Sequence, residues 1–79
     1  MNVLVGEIKL FPYSQVPANW ARCDGQLLSI ASYMALASLV GTKFGGDGRT
    51  TFGVPDLRGK APGANMGYFI ALAGDFPQF

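Results

Sequence analysis

The chain has 79 residues, a formal net charge of +1, 14% charged residues, one cysteine and no histidine. These values exclude the strongly basic surface of a nucleic-acid-binding protein and an intramolecular disulfide, and they argue against a structural zinc site. We expect residues 1–79 to form a single small domain, which buries only about 60% of the surface that the unfolded chain exposes.

The small share of charged residues predicts a partner chain. A typical globular protein has about 25% charged residues, so a monomer with 14% would expose a large apolar area. The longest nearly apolar run, residues 31–40, is far shorter than the roughly 20 residues that cross a bilayer, and no basic-then-apolar leader is visible. We therefore expect a homo-oligomer that neither binds nucleic acid nor inserts into a membrane.

Residues 3–11 predict the first strand. From Glu7 onward polar and apolar side chains alternate, which places Ile8 and Leu10 on one face of a half-buried strand. Residues 12–19 contain two prolines with several small polar residues, and this composition predicts a loop.

A second alternating stretch covers residues 20–24. It places Trp20 and Arg22 on one face and Ala21 and Cys23 on the other. The pair Asp24-Gly25 follows and is itself followed by apolar residues at 27 and 28, so the pattern predicts a tight hairpin at this turn.

The hydrophobic period changes to that of a helix over residues 30–40. Alanines at three positions favour the helix, and its length predicts two to three turns. Ser29 or Ser32 is predicted to cap the N-terminus, and Gly41 stands where a left-handed C-terminal cap is needed.

We predict a long ordered loop over residues 44–60, because this stretch contains too many glycines and charged residues for an ordinary strand or helix. Glycines at positions 45, 46, 48 and 53 allow turns with positive φ. Four apolar side chains are expected to anchor the loop on the domain: Phe44, Phe52, Val54 and Leu57.

A last, mostly apolar strand is predicted over residues 68–73 and ends at Gly74. The order of elements predicts an α+β fold, with a small antiparallel sheet, one short helix and the long Gly-rich loop. The predicted core consists of Ile8, Leu10, Trp20, Leu27, Leu36, Leu39, Phe69 and Ile70.

The glycine loop does not fit the common phosphate-binding patterns. A phosphate loop that starts at Gly41 would need lysine where Asp47 stands, and a dinucleotide-binding pattern would lack one glycine and would follow a helix instead of a strand. Calcium remains open, because Asp47 and backbone carbonyls can bind a cation, although the loop lacks the spacing of an EF-hand and its late glutamate.

Catalysis has no clear candidate in the sequence. There is no histidine, and the five acidic residues are spread over different predicted elements, while Cys23 on an alternating strand is typical of a buried, inert thiol. We predict no enzyme activity, no catalytic residue, no cofactor and no metal site.

Several side chains allow both a structural and a binding interpretation. Trp20 can stack on a sugar ring, but a core position is the more usual role of a tryptophan on such a strand. Asp56 and Arg58 can contact a ligand, a partner chain or each other in an internal salt bridge, and Arg22 and Arg49 leave the same alternatives open.

Several blocks of the chain, in the same order, resemble the phage tail collar domain, which is also met in bacterial proteins called microcystin-dependent proteins. The blocks are GEIKLF at residues 6–11, WARCDGQLL at 20–28, SLVGT at 38–42, FGGDGRTTF at 44–52 and PDLRGK at 55–60, and YFIALAG at 68–74 resembles the close of those proteins. The chain departs from the family pattern in the short stretch 61–67, in the absence of histidine and in the helix start at residues 29–31. The resemblance therefore carries over no metal site.

The resemblance implies a structural virion protein of tail fibres, tail tips or related injection machines, located in the phage tail and often trimeric. In this interpretation the loop presents Asp47, Arg49, Asp56 and Arg58 to a neighbouring copy or another tail protein.

The alternative is an adhesin that takes part in host attachment by binding a receptor, either a host surface glycan or a protein. The candidate ligand contacts are then Tyr13, Asn19 and Trp20, in or beside the loop 12–19.

Overall fold

A computed structural model describes residues 3–13 and 15–78 of the chain. The elements are β1 (Ile8–Phe11), β2 (Trp20–Arg22), β3 (Leu27–Ser29), α1 (Met34–Val40), β4 (Thr51–Gly53) and β5 (Gly67–Ala71). Antiparallel strands with one short helix among the described residues confirm the predicted α+β class. None of the described helices is long and apolar enough to cross a membrane.

The last strand is the centre of the larger sheet. The strand order is β1-β5-β2, and both neighbours run antiparallel to β5. Phe69, Ile70 and Ala71 are buried, because a central strand is shielded by neighbours on both sides. The N-terminal third of the chain therefore depends on its C-terminal strand for the hydrogen bonds of the sheet.

The predicted hairpin at Asp24-Gly25 is wrong. Strand β2 pairs with β5, whereas β3 pairs with β4 in a separate two-stranded sheet. The backbone groups that a hairpin would use are bonded elsewhere: Gly25 N donates to Pro55 O at 3.3 Å, and Leu57 N donates to Cys23 O at 2.8 Å. The connection between β2 and β3 thus runs alongside the end of the glycine loop and joins the two sheets.

The core lies between the larger sheet, the helix and the smaller sheet. Its buried members are Val5, Ala21, Cys23, Leu36, Phe52, Val54 and Ile70. The alternation predicted for residues 20–23 is confirmed on its buried side, since Ala21 and Cys23 face this core.

The predicted core is partly confirmed. Leu36, Phe69 and Ile70 are buried, while Leu10, Trp20 and Leu39 are half-buried. Ile8 and Leu27 were wrongly assigned to the core, because their exposed fractions are 40% and 59%. Both lie on edge strands, where a neighbouring strand shields them on one side only.

The helix is shorter than predicted and ends where predicted. It begins at Met34, and its N-cap is Tyr33, without a side-chain cap. Neither predicted serine cap forms: Ser29 belongs to β3, where it pairs with Thr51. Gly41 has φ of 56° and its N–H donates to Ala37 O, so the predicted positive φ is confirmed. Its ψ of −140° lies outside the left-handed α region, so the predicted left-handed cap is wrong.

The glycine loop is more regular than predicted, because it contains strand β4. Gly45, Gly46 and Gly48 have positive φ as predicted. Gly53 does not have a positive φ. Glycine is needed there because a Cβ would collide with the carbonyl oxygen of Phe44. Of the predicted anchors, Phe52 and Val54 are buried and Leu57 is half-buried, but Phe44 is exposed.

The outer strands are also shorter than predicted. Within the predicted strand 3–11 only Ile8–Phe11 is regular, and the predicted strand 68–73 lies at Gly67–Ala71. The described part of the predicted loop 12–19 contains no helix or strand, and Ser14 lies outside the described residues.

Candidate functional site

One carboxylate organises the tip of the glycine loop. Asp47 Oδ1 accepts hydrogen bonds from the backbone N–H groups of Arg49, Thr50 and Thr51 at 2.9, 2.9 and 3.0 Å. Oδ2 accepts the Thr50 hydroxyl at 3.0 Å, and Asp47 N donates back to Thr51 Oγ1 at 3.2 Å. An aspartate followed by glycine favours such a turn, because its short side chain reaches the next backbone amides.

These bonds stabilise the ionised form of Asp47. Backbone donors from Thr51, Arg49 and Thr50 hold the pKa of the Asp47 carboxyl far below its ordinary value. Both oxygens are thus engaged within the loop, and the exposed carboxylate acts first as an internal support of the backbone.

Asp56 and Arg58, for which the sequence left several roles open, form an internal salt bridge. Arg58 Nε donates to Asp56 Oδ1 at 2.9 Å and Arg58 Nη2 donates to Asp56 Oδ2 at 2.7 Å, a bidentate arrangement. These side-chain hydrogen bonds, with a backbone bond from Arg58, lower the pKa of Asp56 to about 2. Because both side chains are exposed, the pair remains accessible to a partner.

The topology brings two acidic residues together that the sequence separates by 32 positions. Asp24 and Asp56 lie opposite each other in an antiparallel bridge. Arg58 offsets part of their negative charge, and the pKa of Asp56 is lowered to about 2, so Asp56 stays ionised well below neutral pH. A general acid needs a raised pKa, so Asp56 lacks the protonation behaviour of a catalytic acid.

An aromatic cluster covers the outer face of the larger sheet. Phe11 is at its centre: the ring of Tyr13 stacks on it with centroids 5.5 Å apart, and Trp20 meets it edge-on at 5.2 Å. Phe69 lies beneath at 5.4 Å from Phe11, and the Arg22 guanidinium lies 5.6 Å above the Phe69 ring. We call these five side chains the aromatic cluster.

A groove adjoins the aromatic cluster at one end of the sheet. Phe11 pairs with Gly67, so the chain that leaves β1 and the chain that enters β5 meet there. The groove has a volume of about 380 Å³ and is lined by Pro12, Tyr13, Gln15, Arg22, Ala64, Asn65, Met66 and Gly67. We call it the Tyr13 groove.

The structure brings two of the three predicted ligand contacts, Tyr13 and Trp20, together on Phe11, but they line different grooves. Tyr13 lines the Tyr13 groove, whereas Trp20 lines a separate groove of about 280 Å³ beside Tyr33. Asn19 has a left-handed backbone with φ of 67°, and its carbonyl oxygen accepts a hydrogen bond from Leu72 N at 2.8 Å. Its backbone connects the loop to the end of β5.

Sequence reasoning missed Asn65 and Met66 as groove residues. They stand in a short Gly- and Pro-rich stretch with no pattern of its own, and only the pairing of β1 with β5 brings them beside Tyr13. Within residues 3–13 and 15–78, no group of three or more Cys, Asp or Glu side chains can hold a metal ion. Burial of Cys23 raises the pKa of its thiol to about 11, as an inert core cysteine requires.

The described residues thus combine two small antiparallel sheets, one short helix and a glycine loop that Asp47 holds in shape. A model of the Phage Tail Collar Domain matches residues 6–62, which is more than half of the chain. The chain therefore belongs to the phage tail collar domain family, and this membership indicates a structural component of a phage tail. No curated protein matches it.

Proposed function

We propose that the protein is a non-catalytic component of a phage tail fibre, tail tip or tail-like injection particle, and that several copies form a compact knob near the end that meets the host. A homotrimer is the proposed form. The knob also docks on other tail proteins. Membership of the collar family supports the tail location, and the surface of the chain supports assembly.

The observation that carries this proposal is the exposure of large apolar side chains. The described residues include eight such side chains: Leu4, Ile8, Tyr13, Val16, Leu27, Met34, Phe44 and Phe76. In a chain with only 14% charged residues, they leave little polar surface to keep copies apart. Burial of most of these side chains between copies, with Tyr13 and Phe44 left outside the contact, would stabilise a domain whose own core is small.

The charged residues of the loop divide into two kinds. The carboxylates of Asp47 and Asp56 accept hydrogen bonds from within the loop, so their direct role is to shape the loop. Arg58 keeps much of its guanidinium exposed, and Arg49 stands on the exposed tip of the loop. We therefore propose that the two arginines make the contacts to a neighbouring chain and that the two aspartates hold the loop in shape for them.

The native mass tests the assembly. Light scattering of the purified chain at micromolar concentration is expected to give three times the protomer mass of 8.4 kDa. Leu27→Lys is expected to shift the mass towards the monomer, because it places a charge on a side chain that is 59% exposed and would be covered between copies. A wild-type chain that stays monomeric would contradict the homo-oligomer.

Two arginine variants test the loop. Arg49→Ala leaves the described internal salt bridges intact, whereas Arg58→Ala also removes the partner of Asp56. If the loop forms the interface, both variants lower the trimer fraction. If only Arg58→Ala does so, and its melting temperature falls in parallel, the effect arises from folding and the proposed interface is wrong.

A second function, direct binding to the host surface, is favoured by the Tyr13 groove. A concave site beside an aromatic ring with planar polar groups is typical of a ligand site. Flow cytometry with labelled protein on a panel of bacterial cells tests it. Binding lost in Tyr13→Ala, with the native mass unchanged, would support the adhesin, and binding equal to wild type would contradict this role for the groove.

A further inference from the structure

We infer that the Tyr13 groove is a saccharide site in which one pyranose ring packs on Tyr13 and its hydroxyls bond to the planar polar side chains around it. This inference rests on the second proposed function and adds the class of ligand and the residues that bind it. It does not depend on the oligomeric state.

The aromatic ring is held in place before any ligand arrives. Tyr13 stacks on Phe11 with an interplanar angle of 16°, and Phe11 rests in turn on the buried Phe69. Tyr13 nevertheless stays 41% exposed, so part of its side-chain surface is accessible to a ligand. A ring fixed in this way loses little conformational entropy on binding, which favours affinity.

The polar lining suits the hydroxyls of a sugar. Gln15 and Asn65 each provide an amide that both donates and accepts hydrogen bonds, and Arg22 provides a planar guanidinium that donates. None of the described side chains that line the groove is acidic. Adjacent sugar hydroxyls donate and accept in the same way, so the match is to a polyhydroxylated ring rather than to a purely apolar ligand.

The size of the groove agrees with a small ligand. Its volume of about 380 Å³ lies near the lower end of the 300 to 1,000 Å³ that is typical of ligand pockets. The groove is built from the ends of β1, β2 and β5, so its walls are tied to the most buried strand of the fold. A short saccharide segment therefore fits better than an extended protein surface.

A printed glycan array, probed with the labelled full-length chain, is the direct test. We expect binding to a subset of glycans, a loss of at least about tenfold in affinity for Tyr13→Ala, and near wild-type affinity for Tyr13→Phe, because packing on the ring does not need the hydroxyl. Asn65→Ala is expected to weaken binding by about two- to tenfold, the range of one lost hydrogen bond.

Phe44→Ala is the matched control. The exposed fraction of Phe44 is 43%, close to that of Tyr13, but Phe44 does not line the groove. Absence of binding to the array, or equal losses for Phe44→Ala and Tyr13→Ala, would overturn the saccharide site. Circular dichroism of each variant verifies that the fold is intact, and Tyr13→Phe keeps the test decisive if Tyr13→Ala unfolds.

Treatment of cells separates the saccharide from the wider adhesin function. If periodate, which cleaves vicinal diols, abolishes Tyr13-dependent cell binding, the ligand is a saccharide. If binding survives periodate but is lost after proteinase K, the adhesin function stands and the saccharide inference is wrong.

Discussion

Asp47 and Thr51 bond to each other in both directions across the tip of the glycine loop. Thr51 N donates to Asp47 Oδ1 at 3.0 Å, and Asp47 N donates to Thr51 Oγ1 at 3.2 Å. Because Thr51 begins β4, this exchange ties the loop tip directly to the smaller sheet. The loop is therefore ordered by its own polar groups, although its tip is exposed to water.

Replacement of Asp47 should loosen this loop. Asp47→Ala removes every acceptor that the side chain offers, so we expect the melting temperature to fall by several degrees, on the order of 5 °C. Asp47→Asn keeps one carbonyl oxygen for the backbone donors, so its loss should be smaller. Thermal unfolding followed by circular dichroism measures both, and equal melting temperatures for Ala and wild type would contradict the bracing role.

Acid should destabilise the fold through the same carboxylates. The pKa of Asp56 is about 2 in the folded chain against an ordinary 3.8, so between these values the unfolded chain binds more protons. The stabilising contribution of Asp56 is complete above the ordinary value and is lost as the pH falls through about 2. The lowered pKa of Asp47 acts in the same direction.

Melting temperatures measured from pH 7 to pH 2 test this linkage. We expect little change down to about pH 5 and a fall below about pH 4. The double variant Asp47→Asn with Asp56→Asn should start lower at pH 7 and fall less steeply in acid. A double variant that falls as steeply as the wild type would show that other groups control acid unfolding.

Alanine substitutions at two glycines distinguish the loss of stability caused by a steric collision from the loss caused by an unfavourable φ. A Cβ at Gly53 would collide with the carbonyl oxygen of Phe44, whereas a Cβ at Gly59, which has φ of 79°, would meet no other atom within 4 Å. We expect Gly53→Ala to lower the free energy of unfolding by about 3 kcal/mol or to prevent folding. Gly59→Ala should cost about 1 kcal/mol, the strain of a left-handed alanine. Urea unfolding compares them, and equal losses would contradict the distinction.

The central position of β5 predicts that the family-matched region does not fold alone. Residues 6–62 contain β1 and β2 but not β5, the strand with which both pair. A chain that stops at residue 62 should therefore lack cooperative unfolding. Addition of a synthetic peptide of residues 63–79 should restore it, as seen by circular dichroism. Cooperative unfolding of the truncated chain alone would contradict this topology.

The thiol of Cys23 should react only when the protein opens. The side chain is buried and the pKa of its thiol is raised to about 11, chiefly because burial disfavours the thiolate. We expect a dithiobisnitrobenzoate reagent to label the native chain far more slowly than the chain in denaturant at pH 8. Equal labelling rates at this pH would place Cys23 at the surface.

Much of the local backbone could be predicted from neighbouring residues. The positive φ of Gly41 at the end of the helix and the buried side of residues 20–23 follow from short-range rules, because glycine is the least strained residue at positive φ and side chains alternate along a strand. The predicted hairpin failed because the backbone around this good local turn bonds to distant residues: Gly25 N donates to Pro55 O, and Cys23 O accepts from Leu57 N.

The sequence by itself determined the class of fold, the family and the places where the backbone must turn, since these depend on residue type and on spacing over a few positions. Only the tertiary structure decided that β5 separates β1 from β2, that Ile8 and Leu27 lie at exposed edges and that Asn65 faces the same groove as Tyr13. The physical reason is that strand pairing joins residues far apart in the chain. Which strands pair depends on whether every buried backbone N–H and carbonyl group of the whole fold finds a partner, and short stretches of sequence do not contain that information.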